Sequence, residues 1–169
     1  RLSNGDDKPY ELNISWWSAM EDSSRDSNRF QFERFILTQL LVMALKGVPA
    51  FYLPALLASE NDIKSFSMTG QRRDLNREKF KSDNLASVLN NPESNANKNI
   101  KYLRNAMDIR SKLEQFHPSS EMECLSKGRS DIVVIKRGKG PKSVFAIHNM
   151  TENKINYQLN DYDLSLIHI

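Results

Sequence analysis

Apolar and polar positions change their period along the chain. Residues 10–17, YELNISWW, alternate and are rich in aromatic and β-branched side chains, which predicts a short strand or an extended loop, with Pro9 in front of it. From about Asn28 the apolar positions of NRFQFERFILTQLLVMALKG recur at helical spacing. This predicts a helix, buried on most faces toward its end and stopped at Gly47. The apolar run continues as VPAFYLPALLA, which raises the question of a membrane span. Lys46, Gly47, Pro49 and Pro54 break it, and neither part reaches the roughly 20 unbroken apolar residues a span needs. The pattern instead predicts a buried strand over residues 50–53 after the helix, the αβ half of a parallel-sheet unit.

A polar loop over residues 59–77 is expected next, then helices around 83–89 and 97–116, the first of them ending in the turn NNPESNAN. Beyond His117 and Pro118 the period becomes that of strands. IVVIKR, SVFAIHN and KINYQL are short and β-rich, with turns at GKGPK and MTEN. The chain reads as an α/β domain followed by a β-type module, with the boundary near residues 117–121.

Charge adds little to this outline. Lys and Arg exceed Asp and Glu by 24 to 21, and the cations are spread along the chain, which gives little support to a nucleic-acid partner. Cys124 is the single cysteine, which excludes an internal disulfide; its apolar neighbours predict a small core residue. His117 and His148 have no His, Cys or acidic partner at metal-ligand spacing, so no metal site is expected. RGKGPKS lacks the spacing of a phosphate-binding loop and reads as a hairpin turn. Of Trp16 and Trp17, the alternation sends one to the core and the other to a groove, unless both pack inside. The terminal LSLIHI, residues 164–169, resembles the translation of a sequencing adapter, and the chain is expected to be a piece of a longer protein.

The stretch SMTGQRRDLNREKF, residues 67–80, places four cations and two carboxylates directly after one of the most apolar segments. In parallel α/β folds ligands sit at the carboxyl ends of strands, where loops diverge without disturbing the sheet. A polar, Arg-rich loop leaving such a strand is a place to hold substrate. The alternative is a solvated loop whose charges pair with one another.

GVPAFYLPALLASEND followed by RRDLNREKF and preceded by PYELNISWWSAM resembles the end of the catalytic barrel in the sucrose phosphorylase-like branch of glycoside hydrolase family 13. The resemblance covers residues 9–116, and the β-rich tail matches the family's C-terminal β domain in position and type. It implies an α/β fold: the C-terminal part of a (β/α)8 TIM barrel over residues 1–118, then a partial C-terminal β-sheet domain over residues 119–163. The implied activity is retaining transfer of a glucosyl group through two carboxylates, with phosphate as second acceptor and α-glucose 1-phosphate as product. A non-catalytic or hydrolytic relative is the alternative. The implied partners are a disaccharide and inorganic phosphate in the cytoplasm, with no cofactor, nucleic acid or membrane.

In the family the catalytic carboxylates lie upstream of the segment resembling Tyr10, so no catalytic residue is expected here. What the resemblance carries onto this chain is part of the sugar and acceptor pocket. Arg73 matches the arginine that anchors the glucosyl hydroxyls; Asp74 is a second sugar ligand or the carboxylate that orients Arg73; Asn76 and Arg77 tie down the loop. Tyr10 and Glu11 match the loop shaping the acceptor subsite. Sucrose phosphorylases carry Gln where this chain has Glu11, and a carboxylate there disfavours bare phosphate unless a cation compensates. Lys8 is the only adjacent cation in sequence, and PYELN looks closer to relatives acting on glucosylglycerate or sucrose 6′-phosphate.

Overall fold

The computed structural model describes residues 11–21, 29–126 and 128–159. Tyr10, Lys8 and residues 164–169 lie outside them. The described chain divides into two compact units, one made of residues 11–21 and 52–98 and the other of residues 29–51 and 99–159.

In the second unit, helix α1 (Gln31–Ala44) forms where helical periodicity predicts it and buries Phe35, Ile36, Gln39, Met43 and Ala44. These positions form one stripe, 35, 39 and 43 following one another at four-residue spacing. The helix ends at Ala44, and Gly47 turns the chain after it with φ at +111°, a conformation side chains other than glycine rarely adopt. Helix α5 (Asn95–Lys112) carries the buried Leu103 and Ala106 and is followed by a 3-10 turn at Glu114–Phe116.

Three strands close this unit: β1 (Met122–Cys124), β2 (Ile132–Arg137) and β3 (Val144–Asn149), antiparallel in the order β1-β2-β3. The register sets Ile135 opposite both Cys124 and Ala146. β2 is the central strand, and Ile132, Val134 and Ile135 are buried as its apolar sequence requires. RGKGPKS is the β2–β3 hairpin connection, built on a 3-10 turn at Gly140–Lys142.

In the first unit, a 3-10 turn at Ser18–Met20 precedes helices α2 (Leu53–Leu56), α3 (Ile63–Thr69) and α4 (Ser82–Asn90), with another 3-10 turn at Arg72–Asn76. Trp17, Ala55, Leu57, Ala58 and Ala96 are its buried apolar residues. Ala58 ends α2 in the left-handed region (φ +48°), a conformation costing a residue with a side chain about 1–2 kcal/mol. It is held there by the Ser59 N–H donating to the Pro54 carbonyl at 2.9 Å.

Several expectations are corrected. Residues 50–53 form no strand: the backbone is extended at Tyr52, α2 begins at Leu53, and both side chains are more than half exposed. A buried strand draws its ladder bonds and its burial from neighbouring strands, and the described residues contain no parallel pair. Accordingly they show helices and one small antiparallel sheet. The part of YELNISWW that is described, residues 11–17, is loop and turn without a ladder. Residues 59–77 are not one loop. Asp62 caps α3, accepting from the Ser65 amide at 2.8 Å, and Gly70 closes it at φ +68°. KINYQL joins no strand, and Cys124 is exposed, because β1 is an edge strand with all three residues outside the core. No helix among the described residues is long and apolar enough to cross a membrane.

Candidate functional site

The first unit brings residues from three sequence segments together by polar tethers. The Ser15 amide donates to Asn61 Oδ1 at 2.7 Å, and the Asn61 amide donates to Ser18 Oγ at 3.1 Å, so residues 15–18 are tied to the segment that opens α3. Asn61 precedes the α3 cap. Asp62 is held ionised by the Ser65 hydroxyl and amide, which keep its pKa below the usual carboxylate range. The Asp62 amide in turn donates to the Leu75 carbonyl at 2.8 Å, folding the Arg72–Asn76 turn back onto the start of α3.

This folding places Arg73 against Glu11, 62 positions earlier. The guanidinium donates from Nε to Oε1 at 2.9 Å and from Nη2 to Oε2 at 3.3 Å, a two-point fork. Both side chains remain partly open to solvent, at 52% and 38% exposure. Two predicted site residues therefore meet, and among the described residues a cation beside Glu11 is Arg73. Lys8, the cation adjacent in sequence, lies outside the described residues; a contact across 62 positions has no local signal.

Asp74 has a different partner. Its Oδ2 accepts from Thr69 Oγ1 at 2.6 Å, which ties the 3-10 turn to the end of α3. The Arg77 amide donates to the Asp74 carbonyl at 3.4 Å, and the Asn76 carbonyl accepts from Tyr52 Oη at 3.5 Å. The turn is thus held at both ends, by backbone groups more than by the side chains of Asn76 and Arg77. Farther along, burial raises the pKa of Glu78.

A cavity of about 370 Å³ opens among Leu12, Ser15, Trp16, Tyr52, Pro54 and Asn76. Leu12 is the neighbour of Glu11, and Asn76 lies three residues after Arg73, so both segments of the ion pair lead into the cavity wall. Trp16 and Tyr52 supply aromatic surface, at 42% and 54% exposure. Asn76 Oδ1 is buried without a hydrogen-bond partner. Trp17, by contrast, is 5% exposed, so the tryptophan pair divides between core and groove. The walls offer flat aromatic faces, which suit the C–H face of a ligand. No carboxylate lies among the described residues lining it. Among the described residues no cluster of His, Cys, Asp and Glu has the makings of a metal site.

No protein-family model matches the chain. Curated relatives do. A glucosylglycerate phosphorylase of Allomeiothermus silvanus is 29% identical over 145 residues, covering 85% of this chain and 26% of that protein. A glucosylglycerate phosphorylase of Spirochaeta thermophila is 30% identical over 129 residues, 76% of this chain and 22% of that protein. The sucrose phosphorylase of Streptococcus mutans is 24% identical over 130 residues, 77% of this chain and 24% of that protein. The chain spans about a quarter of the length of these relatives. Over most of its length it matches a segment of sucrose phosphorylase-like proteins.

Proposed function

We propose that this chain is the sugar- and acceptor-binding segment of a cytoplasmic glucosyl phosphorylase. The substrate would be an α-glucoside, glucosylglycerate before sucrose 6′-phosphate or sucrose. Phosphate would replace the acceptor and release α-glucose 1-phosphate with retention, through carboxylates supplied by the rest of the protein. In this reading residues 1–118 complete a (β/α)8 barrel and residues 119–163 begin the β domain that follows it. The half-exposed Tyr52 and Leu53 side chains would then be covered by the rest of the barrel.

The observation that carries the reading is the fork between Glu11 and Arg73. Two residues assigned to one pocket by resemblance, and distant in sequence, meet, and the nearby Leu12 and Asn76 line a cavity walled by Trp16 and Tyr52. Arg73 would hold the glucosyl hydroxyls, since its planar donors suit vicinal oxygens. Tyr10 and Glu11 would face the acceptor, and Asp74 would support Arg73 through the turn it braces. Relatives named for glucosylglycerate also favour that donor over sucrose.

The test is a chimera in which this chain replaces the matched segment of the Allomeiothermus silvanus enzyme. It is assayed for phosphate-dependent α-glucose 1-phosphate from each of the three glucosides. Product from glucosylglycerate at the highest kcat/KM is expected. A folded chimera giving free glucose independently of phosphate would replace this reading with a hydrolytic one, and no turnover of any glucoside would reject both.

A further inference from the structure

Residues 15–20 form one tight turn. The Ser18 amide donates to Ser15 Oγ at 3.1 Å, the Ala19 amide to the Ser15 carbonyl at 2.9 Å and the Met20 amide to the Trp17 carbonyl at 3.0 Å. Within this turn Trp17 is in the core and Trp16 lines the cavity. We propose that Asn61 is a positioning residue for the cavity: it holds the turn at the rotation that presents Trp16, at a fixed spacing from the turn that carries Arg73. This rests on the cavity and Arg73 belonging to the ligand site, as proposed above, and adds what sets their spacing.

Burial of Trp17 pins the turn at one point and leaves rotation about that point open. Asn61 closes this freedom with two bonds, one on each side of Trp16 in sequence. Its Oδ1 accepts from the Ser15 amide at 2.7 Å, and its own amide donates to Ser18 Oγ at 3.1 Å. Ser15 is buried, so water does not readily replace a lost acceptor, and the turn must shift to satisfy the freed amide. The next residue completes the link, because the Asp62 amide donates to the Leu75 carbonyl at 2.8 Å, two residues from Arg73. Asn61 and Asp62 share one planar peptide unit, which therefore couples the aromatic wall to the guanidinium turn. Asn61 does not itself line the cavity, so its effect on a ligand passes through the ring it orients.

The test uses the same chimera, with glucosylglycerate, sucrose 6′-phosphate and sucrose each titrated by calorimetry in the absence of phosphate. For the glucoside bound most tightly, Asn61→Ala should weaken Kd by about three- to fivefold, no more than Trp16→Ala does, because only the ring contact is at stake. Ser18→Ala removes the second bond and leaves the first, and should weaken Kd by about twofold. In a Trp16→Ala background Asn61→Ala should change Kd by less than about 1.5-fold, since the ring it positions is gone. Asn97→Ala is the stability control. It removes the bond from Asn97 Nδ2 to the Leu89 carbonyl at 2.6 Å in the same unit, and should lower the urea midpoint while leaving Kd in place. Effects of Asn61→Ala and Trp16→Ala that multiply in the double variant overturn the proposal, as does a loss of binding in Asn97→Ala as large as in Asn61→Ala. If Asn61→Ala does not fold, the same cycle with Trp16→Ala is read on Ser18→Ala. These shifts without any α-glucose 1-phosphate would reject the phosphorylase reading alone. Phosphorolysis with no shift in Asn61→Ala would reject the positioning role alone, and no binding of any glucoside would reject both.

Discussion

Arg137, in the unit built on α1 and the sheet, and Arg73, in the unit that carries the cavity, use the same guanidinium in opposite ways. Arg137 is fully buried and donates to the carbonyls of Ala44 and Leu45 at 3.0 and 2.7 Å and of His117 at 3.0 Å. Arg110 joins it, donating to the carbonyls of Met43, Gly47 and Phe116. The two cations thus cap the end of α1, where unpaired carbonyls and the helix dipole concentrate negative charge. Both lie over the Phe116 ring, at 5.1 and 5.4 Å from its centre. Burial lowers the pKa of both, with the Arg110 charge lowering Arg137 further, but arginine stays ionised. Arg73 is exposed and pairs with the side-chain carboxylate of Glu11. A guanidinium on backbone carbonyls is part of the fold; one on an exposed carboxylate is a weaker tie.

The strongest challenge to this contrast is Arg137→Ala. It leaves three carbonyls without their donor and should destabilise the protein by about 3–5 kcal/mol, read as a lowered urea midpoint, with Arg137→Lys recovering little. Stability unchanged in Arg137→Ala would mean the carbonyls are satisfied without it. Arg73→Ala should do the reverse in the chimera, leaving the midpoint in place and lowering kcat/KM by about 2–4 kcal/mol, roughly 30- to 1,000-fold. Arg72→Ala is its control and should behave as a surface change. Equal, small effects of the two on kcat/KM would make the stretch a solvated loop after all.

The tryptophan pair repeats the comparison at lower energy. Trp17→Ala should cost about 3–5 kcal/mol of stability, whereas Trp16→Ala should leave stability alone and raise KM by about fivefold, near 1 kcal/mol of lost ring contact. A stability loss from Trp16→Ala as large as that from Trp17→Ala would make the cavity wall part of the core.

The smallest effect expected is a titration. His148 is buried on β3, its Nε2 has no hydrogen-bond partner, and burial lowers its pKa below 6.5. A depressed folded value means the unfolded chain binds the proton more readily. The stability contribution is therefore complete above the unfolded value and lost as pH falls below 6.5 toward the folded value. His148→Leu should flatten the melting temperature over that window; an unaltered slope would remove His148 from the acid dependence. Where arginine must stay charged and find carbonyls, histidine can be buried by losing its proton.

Periodicity and short-range punctuation made α1, α4, most of α5, β2, β3 and the hairpin between them readable, because each rests on contacts within a few residues or on an apolar run with one outcome. The same logic failed at residues 50–53, where an apolar run bounded by prolines reads as a strand but strand pairing belongs to neighbours elsewhere in the chain or beyond it. It also missed α3, although Asp62 and Gly70 mark its two ends, because Ile63 and Met68 face solvent and leave no apolar stripe. The motifs around Arg73 and Glu11 led the resemblance to assign both to one pocket. Their fork, the switch of Asp74 to Thr69, and the separation of Trp16 from Trp17 were decided only in three dimensions, because side-chain partners 5 to 62 residues apart are chosen by how the backbone between them folds.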